Sequence, residues 1–254
     1  MLRVKGLKKW FGGLLAVNDY SIHLKRGEIV GLIGPNGAGK TTIFNLITGV
    51  LRPSGGKVLF KDRDITGMKP DRIASTGIIR TFQNVRLFRE LTVEENLKIA
   101  YHTRHTYHLF DVFLSSNSFR REEKRLLEDV NNYLKLLNIL EFREYKAEDL
   151  PYGIQKRVEI ARALMLKPEL LLMDEPAAGL NPNETEEIME LVLRVKEMFD
   201  LSILLIEHDM KMVMGICERI QVLNRGELIA EGTPEEVQNN PQVIEAYLGR
   251  RRVA

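Results

Sequence analysis

Ile29-Val30-Gly31-Leu32-Ile33-Gly34-Pro35-Asn36-Gly37-Ala38-Gly39-Lys40-Thr41-Thr42 is the stretch on which the fold turns. A short, wholly apolar run is the signature of a strand buried on both faces, and here it leads straight into the pattern G-x-x-x-x-G-K-[ST]. The glycines admit positive φ, so successive backbone N–H groups turn inward and wrap phosphate oxygens. Lys40 supplies a point charge for the β- and γ-phosphates of a nucleotide, and Thr41 a hydroxyl for Mg²⁺. The helix expected from Lys40 to about Thr48 adds the positive end of its dipole. Asn36, Gly37, Ala38, Gly39 and Thr42 complete the cradle. ATP and Mg²⁺ are the expected ligands, but the loop alone does not name the machine that uses them.

Working outward, Leu170-Leu171-Leu172-Met173-Asp174-Glu175 is a second buried strand, ending in two carboxylates. After a phosphate loop, the first acid holds Mg²⁺, usually through water, and the second polarises the attacking water as a general base. Phosphoryl transfer needs in-line positioning and charge stabilisation more than covalent chemistry. Lys40, Mg²⁺ and Glu175 supply three parts of that. No arginine finger is evident, so another positive feature must complete the site.

Beyond the acids the pattern alternates: helix 183–199, strand 202–206, helix 209–216, strands 219–223 and 227–230, helix 234–247. Strand and helix in alternation imply an α/β fold with a parallel sheet covered on both faces. The first thirty residues read instead as antiparallel strands, and Ile78 to Phe82 as a strand ending at Gln83. A helix-rich stretch fills 92–148: Thr92 with Glu95 forms a capping box, and Phe119 to Leu140 repeats apolar residues at helical spacing. Tyr101 to Ser118 between them reads as a less regular insertion. One domain of 1–254 results, with 1–91 and 149–254 as catalytic core and 92–148 as a helical subdomain running on into the next helix.

Composition limits what such a domain does. Of 254 residues, 44% are apolar and 28% charged, too apolar for a disordered chain. A net charge of +2 lacks the basic excess of a nucleic-acid binder. The only local excess, Arg250 to Arg252, reads as a solvated tail. The single cysteine, Cys217, excludes an internal disulfide. The N-terminus alternates like a strand and lacks the apolar core of a signal peptide. No apolar run approaches the roughly 20 residues that cross a bilayer, so any membrane work falls to another chain.

Leu150-Pro151-Tyr152-Gly153-Ile154-Gln155, continuing through Val158-Glu159-Ile160-Ala161-Arg162-Ala163-Leu164, resembles the signature of the ABC ATPases, usually L-S-G-G-Q followed by a helix. The resemblance implies a P-loop ABC ATPase: a RecA-like parallel-sheet core, an N-terminal antiparallel β subdomain and a helical subdomain. It implies head-to-tail pairing, each ATP lying between one chain's phosphate loop and the signature of the other. Gly153 of a second copy would then offer its backbone N–H in trans, from a helix opening near Ile154. Pro151, Tyr152 and Ile154 depart from the usual residues, and Pro151 has neither hydroxyl nor N–H to offer. By the same resemblance Phe11 stacks on adenine with Val17 beside it, and Gln83 reaches the Mg²⁺ and the attacking water. His208 contacts the γ-phosphate, and Ala178-Gly179-Leu180-Asn181 is the D-loop, with Asn181 where aspartate is usual.

Finer likeness lies in Pro176-Ala177-Ala178-Gly179-Leu180-Asn181-Pro182, in Glu207-His208-Asp209-Met210-Lys211, and in the tail from Gly232-Thr233-Pro234-Glu235 to Tyr247-Leu248-Gly249. These are similar to the ATPases of branched-chain amino-acid importers. That family implies a peripheral position on the cytoplasmic face of the membrane, a second ATPase subunit, membrane permease subunits and an extracytoplasmic solute-binding protein. Lipopolysaccharide-export ATPases share much of the tail and the Val158 to Leu164 run, but Pro-Tyr-Gly at 151–153 favours import. A non-transport ABC ATPase on nucleic acid or ribosomes ranks lower, since sustained heptads and a second cassette are missing. Asn84 to Leu91 is more apolar than a loop needs; it reads either as core or as the seat of a membrane subunit's helix. The transported solute is not written in this chain.

Overall fold

The computed structural model describes residues 1–104 and 117–248. They form two compact units, 1–83 with 169–254 and 84–168. The expected division fell at 91/92 and 148/149. The second unit thus takes in the 84–91 segment and the signature helix as well as the helical stretch.

The first unit holds two sheets. β1 (Leu2–Phe11), β2 (Leu14–Leu24), β4 (Gly55–Phe60) and β5 (Arg63–Asp64) form an antiparallel sheet in the order β2-β1-β4-β5. β3 (Ile29–Ile33), β6 (Ile78–Arg80), β7 (Leu170–Asp174), β8 (Ser202–Ile206), β9 (Arg219–Asn224) and β10 (Glu227–Gly232) form the main sheet, in the order β10-β9-β3-β8-β7-β6. Its strands run parallel except for the β9–β10 hairpin. Every residue of β3, β7 and β8 is buried. Burying a Leu or Ile is worth about 1.5–3 kcal/mol against about 1–2 kcal/mol to order its backbone, so these apolar strands form the most secure part of the fold. Between the sheets, the Tyr20 hydroxyl donates to Gln221 Oε1 (2.7 Å) and Gln221 Nε2 to Ser21 O (3.2 Å), satisfying polar groups that would otherwise be stranded in the core.

Helices α1 (Lys40–Ile47), α2 (Pro70–Ser75), α6 (Pro182–Phe199), α7 (Met210–Ile216), α8 (Pro234–Gln238) and α9 (Pro241–Leu248) belong to this unit. The expected helix 234–247 is in fact two: Thr233 caps α8, and Pro241, which cannot donate to the turn before it, opens α9. The expected strand 78–82 stops at Arg80; Thr81 N still bonds Leu172 O (3.0 Å), and the chain then leaves the ladder. Cys217, just after α7, is buried against Gly31, where an added Cβ would lie 3.0 Å from its sulfur.

The second unit is built on α3 (Val93–Arg104), α4 (Asn117–Leu136) and α5 (Tyr152–Met165). The Thr92–Glu95 capping box forms as expected, Glu95 N bonding Thr92 Oγ1 (3.2 Å) and Thr92 N bonding Glu95 Oε2 (2.8 Å). Asn96, fully buried, donates to Phe88 O, Leu91 O and Thr92 O and so fastens the 84–91 segment to α3. α4 ends at Leu136, four residues before its apolar repeat does; Asn138, just beyond, has a left-handed φ of 54° that does not continue a helix. Most of the expected insertion 101–118, and the arginine tail, lie outside the described residues.

Candidate active site

Parallel strands place their C-terminal ends on one edge of a sheet, and that is where ligands bind in open α/β folds. Here β3 ends in the phosphate loop, β7 in Asp174 and Glu175, β8 in Glu207 and His208, and β6 leads to Gln83. The register pairs Asp174 with Ile206, so the acids and His208 emerge side by side. Four segments far apart in sequence meet because their strands stop at one level.

The loop is shaped by its glycines. Gly34 has φ 148°, and a Cβ there would come within 2.0 Å of Leu223 O; Gly39 has φ 106°, with Ala16 O at 2.8 Å. Gly39 caps α1 without any side-chain hydrogen bond, which leaves the N–H groups of the first turn to a ligand. Lys40 is buried, its Nζ donating to Gly34 O (2.7 Å) and Pro35 O (3.1 Å). Burial pushes its pKa below the usual lysine value, and the charges of Glu175 and Asp174 pull the other way. A cleft of about 460 Å³ is lined by residues 36–42 with Leu14, Leu15, Ala16, Glu175, His208 and Arg225.

Glu175 stands at the centre of the chemistry. Its backbone lies in the left-handed region (φ 50°) and is fixed by Glu175 N to Ile206 O (2.8 Å). A non-glycine residue held there carries a cost that surrounding structure must impose. The conformation turns the carboxylate between two partners: Gln83 Nε2 donates to Oε2 (2.8 Å), and His208 Nε2 lies 3.1 Å from Oε1. Glu207, buried beneath, accepts from Ala177 N (2.7 Å), His208 N (2.7 Å) and Asp209 N (3.1 Å), so one carboxylate ties together the loops that follow β7 and β8. Asp174 is 4% exposed and its Oδ2 accepts from Arg80 (2.7 Å). Asn181 caps α6, accepting from Asn183 N and Glu184 N at 3.0 Å, a role that amide and carboxylate fill alike.

Lys40, Thr41, Thr42, Asn36, Gly37, Ala38, Gly39, Glu175 and His208 all line the one cleft, and Gln83 joins it through Glu175. The aromatic and its neighbour are placed differently. Phe11 is 45% exposed at the β1–β2 hairpin end, in register with Leu14, with Lys9 Nζ 5.1 Å from its ring centre. Val17 is fully buried in the core; Leu14, Leu15 and Ala16 line the cleft instead, beyond a shift of register in the β1–β2 ladder between the pairs Lys9–Val17 and Trp10–Leu15. In the second unit, α5 opens at Tyr152, two residues before the expected start, with Pro151 as N-cap and no side-chain cap. Gly153 is buried, and Pro151 and Tyr152 form the exposed part of the turn. Two residues were not singled out from the sequence. Arg225, at the tip of the β9–β10 hairpin, reaches the cleft because Gly226 N bonds Ala38 O (2.8 Å); Arg80 grips Asp174.

The model of the ABC transporter family matches residues 17–178, and that of the branched-chain amino acid ATP-binding cassette transporter residues 227–253. The high-affinity branched-chain amino acid transport ATP-binding protein LivG of Salmonella typhimurium is 51% identical over 249 residues, 98% of each chain. Among solved structures, the ADP conformation of an ATP-binding cassette of an ABC transporter superposes with a TM-score of 0.85 at 35% identity, covering 98% of both chains. A dimeric cassette in a post-hydrolysis state, bound to ADP and Pi, superposes at 0.77 with 27% identity, over 92% of this chain and 99% of that one.

Proposed function

Since the chain belongs to the ABC transporter ATP-binding family, we propose that it is the ATP-hydrolysing subunit of an importer for branched-chain amino acids. The observation that carries the catalytic part is the Glu175 carboxylate bracketed by Gln83 and His208 beside an uncapped helix N-terminus. The import assignment is supported by the LivG relative and by the match of the tail to the branched-chain family.

In this reading the triphosphate lies along residues 36–42, with Lys40 exchanging its bonds to Gly34 O and Pro35 O for phosphate oxygens. Glu175 takes the proton of the attacking water. Gln83 and His208 hold that carboxylate now and contact the water and the γ-phosphate when ATP is in place. The oxygen donors of Thr41, Gln83 and Asp174 suit Mg²⁺, a hard cation that keeps several waters and takes its other ligands from phosphates. Bound there, Mg²⁺ neutralises charge on the β- and γ-phosphates.

The missing positive feature comes from the 151–154 turn of a second cassette, which places a bare helix N-terminus against the γ-phosphate. Tyr152 of that turn also borders a hollow of about 250 Å³ with Asn84, Val85, Leu87, Arg89, Ala147 and Gln155. A cytoplasmic helix of a membrane permease is the occupant proposed for it. No described helix is long and apolar enough to cross a membrane. A peripheral position on the cytoplasmic face follows from the proposed partnership with membrane permeases. The test is hydrolysis measured against protein concentration, with leucine uptake in a strain lacking its own importer ATPase. Specific activity should rise with concentration and uptake should return; concentration-independent turnover removes the shared site, and absent uptake beside normal ATPase removes the import assignment.

A further inference from the structure

Arg80 and Asp174 are both almost wholly buried, with side chains 7% and 5% exposed, and their bond is 2.7 Å long. The guanidinium is used at both ends: NH2 holds Asp174 Oδ2, and NH1 donates to Asn45 Oδ1 at 2.6 Å. Its plane is steadied by Phe44 and Phe82, whose ring centres lie 5.4 and 5.1 Å away. Nε is left as the one buried side-chain polar atom without a hydrogen-bond partner among the described residues. A buried ion pair is a weak source of stability, and apolar side chains of equal size commonly do as well. An arginine buried with an unsatisfied Nε therefore calls for a reason other than stability.

The reason lies in what the two ends hold. Asn45 is four residues after Thr41 on α1 and so shares its face of the helix. Asp174 ends β7. One rigid fork thus fixes the distance between the helix carrying the Thr41 hydroxyl and the strand carrying the Asp174 carboxylate. It occupies Oδ2, and no second hydrogen bond to that carboxylate is made by the protein among the described residues. We propose that Arg80 is a positioning residue for the divalent cation: it aims Asp174 and holds it in register with Thr41. This rests on Asp174 and Thr41 serving the metal, as set out above.

Partners of metal-binding carboxylates typically matter by 10–100-fold in metal affinity. Mn²⁺ binding, followed by EPR in the presence of ATP and in a Glu175→Gln background that prevents turnover, should weaken about tenfold or more in Arg80→Met. ATP affinity in EDTA should stay within about twofold, because the loop donors are untouched. Arg80→Lys keeps the charge but cannot span both partners, and should recover only part of the loss. Asn45→Leu removes the α1 end alone and should give a smaller loss of the same kind, which keeps the test alive if Arg80→Met does not fold. Mn²⁺ affinity that is unchanged or tighter in Arg80→Met, or in Asn45→Leu if only that variant folds, overturns the proposal, as does a parallel fall in ATP affinity in EDTA. Asp174→Asn is measured alongside: if it also keeps its Mn²⁺, the metal site itself has been misplaced; if it loses Mn²⁺ while the other variants do not, only the role of Arg80 fails.

Discussion

The phosphate loop and the signature turn each end in a helix N-terminus with no side-chain cap, yet they are furnished in opposite ways. Around Gly39 stand a buried lysine, two acids, a glutamine and a histidine, held by hydrogen bonds from four strands. In the first turn after Pro151 the polar side chains turn inward: Gln155 donates to Leu150 O (2.9 Å), and Lys156 is buried, 5.7 Å from the Tyr152 ring centre. One end carries reactive groups and the other only a dipole. Under the proposed function the difference divides the work: a chain binds nucleotide with its first unit, while its second would complete the site of another copy.

The comparison breaks most sharply at Glu175. Glu175→Gln should lower turnover at least about 100-fold, the range lost with a general base, while ATP affinity stays near native. A rapid-quench assay reads this, and near-native hydrolysis would free Glu175 from its role. Lys40→Ala, next in size, should weaken ATP binding by about tenfold or more, since a charge-assisted phosphate contact made in a buried position is lost. Titration with a fluorescent ATP analogue checks it, and unchanged affinity contradicts the loop reading.

The signature side should behave otherwise. Gly153→Val, in the first turn of α5, should reduce ATP-dependent dimerisation and turnover by roughly tenfold, the scale of one or two lost hydrogen bonds, without altering ATP binding to the single chain. Sedimentation with and without ATP separates the two effects, and weakened single-chain binding would count against the division. Leu87→Glu should leave ATPase activity intact and uncouple it from uptake in reconstituted vesicles; normal uptake would remove the hollow beside Tyr152 as a docking seat.

The smallest effect concerns the second unit's own stability. Arg143 beside Glu94, with Lys98, holds that carboxyl below its ordinary 4.5, against the opposing effect of burial. A lowered carboxylate stabilises above the unfolded value and loses that contribution as pH falls through the folded one. Native chain should therefore exceed Glu94→Gln in melting temperature at pH 7 and converge with it as the pH falls below the ordinary carboxylate range. A constant gap would mean that packing, not charge, sets the difference.

Contiguous chemistry was legible in advance. The loop, the paired acids and the capping box at Thr92 each lie within a few residues, so local pattern suffices to find them. Arg80 and Arg225 gave no such signal, because each acquires meaning only through a partner far away in sequence: Asp174 for the first, the loop backbone at Ala38 for the second. Val17 is named by the resemblance, but an irregularity of the β1–β2 ladder, which no sequence pattern announces, leaves its side chain in the core and gives the cleft Leu14, Leu15 and Ala16 instead. The start of α5 came out two residues late because proline is as good an N-cap neighbour as a breaker, and sequence alone does not choose between them.

Cys217 has a practical consequence. Burial raises its thiol to about 12, and the thiolate is the species that reacts, so alkylating reagents at neutral pH find almost nothing to modify. The native protein is a silent background for spectroscopy. A cysteine introduced on an exposed surface near the loop of one copy, and another beside the signature turn, would accept dyes or spin labels without first stripping the chain of its own sulfur, and the approach of two copies could be timed directly.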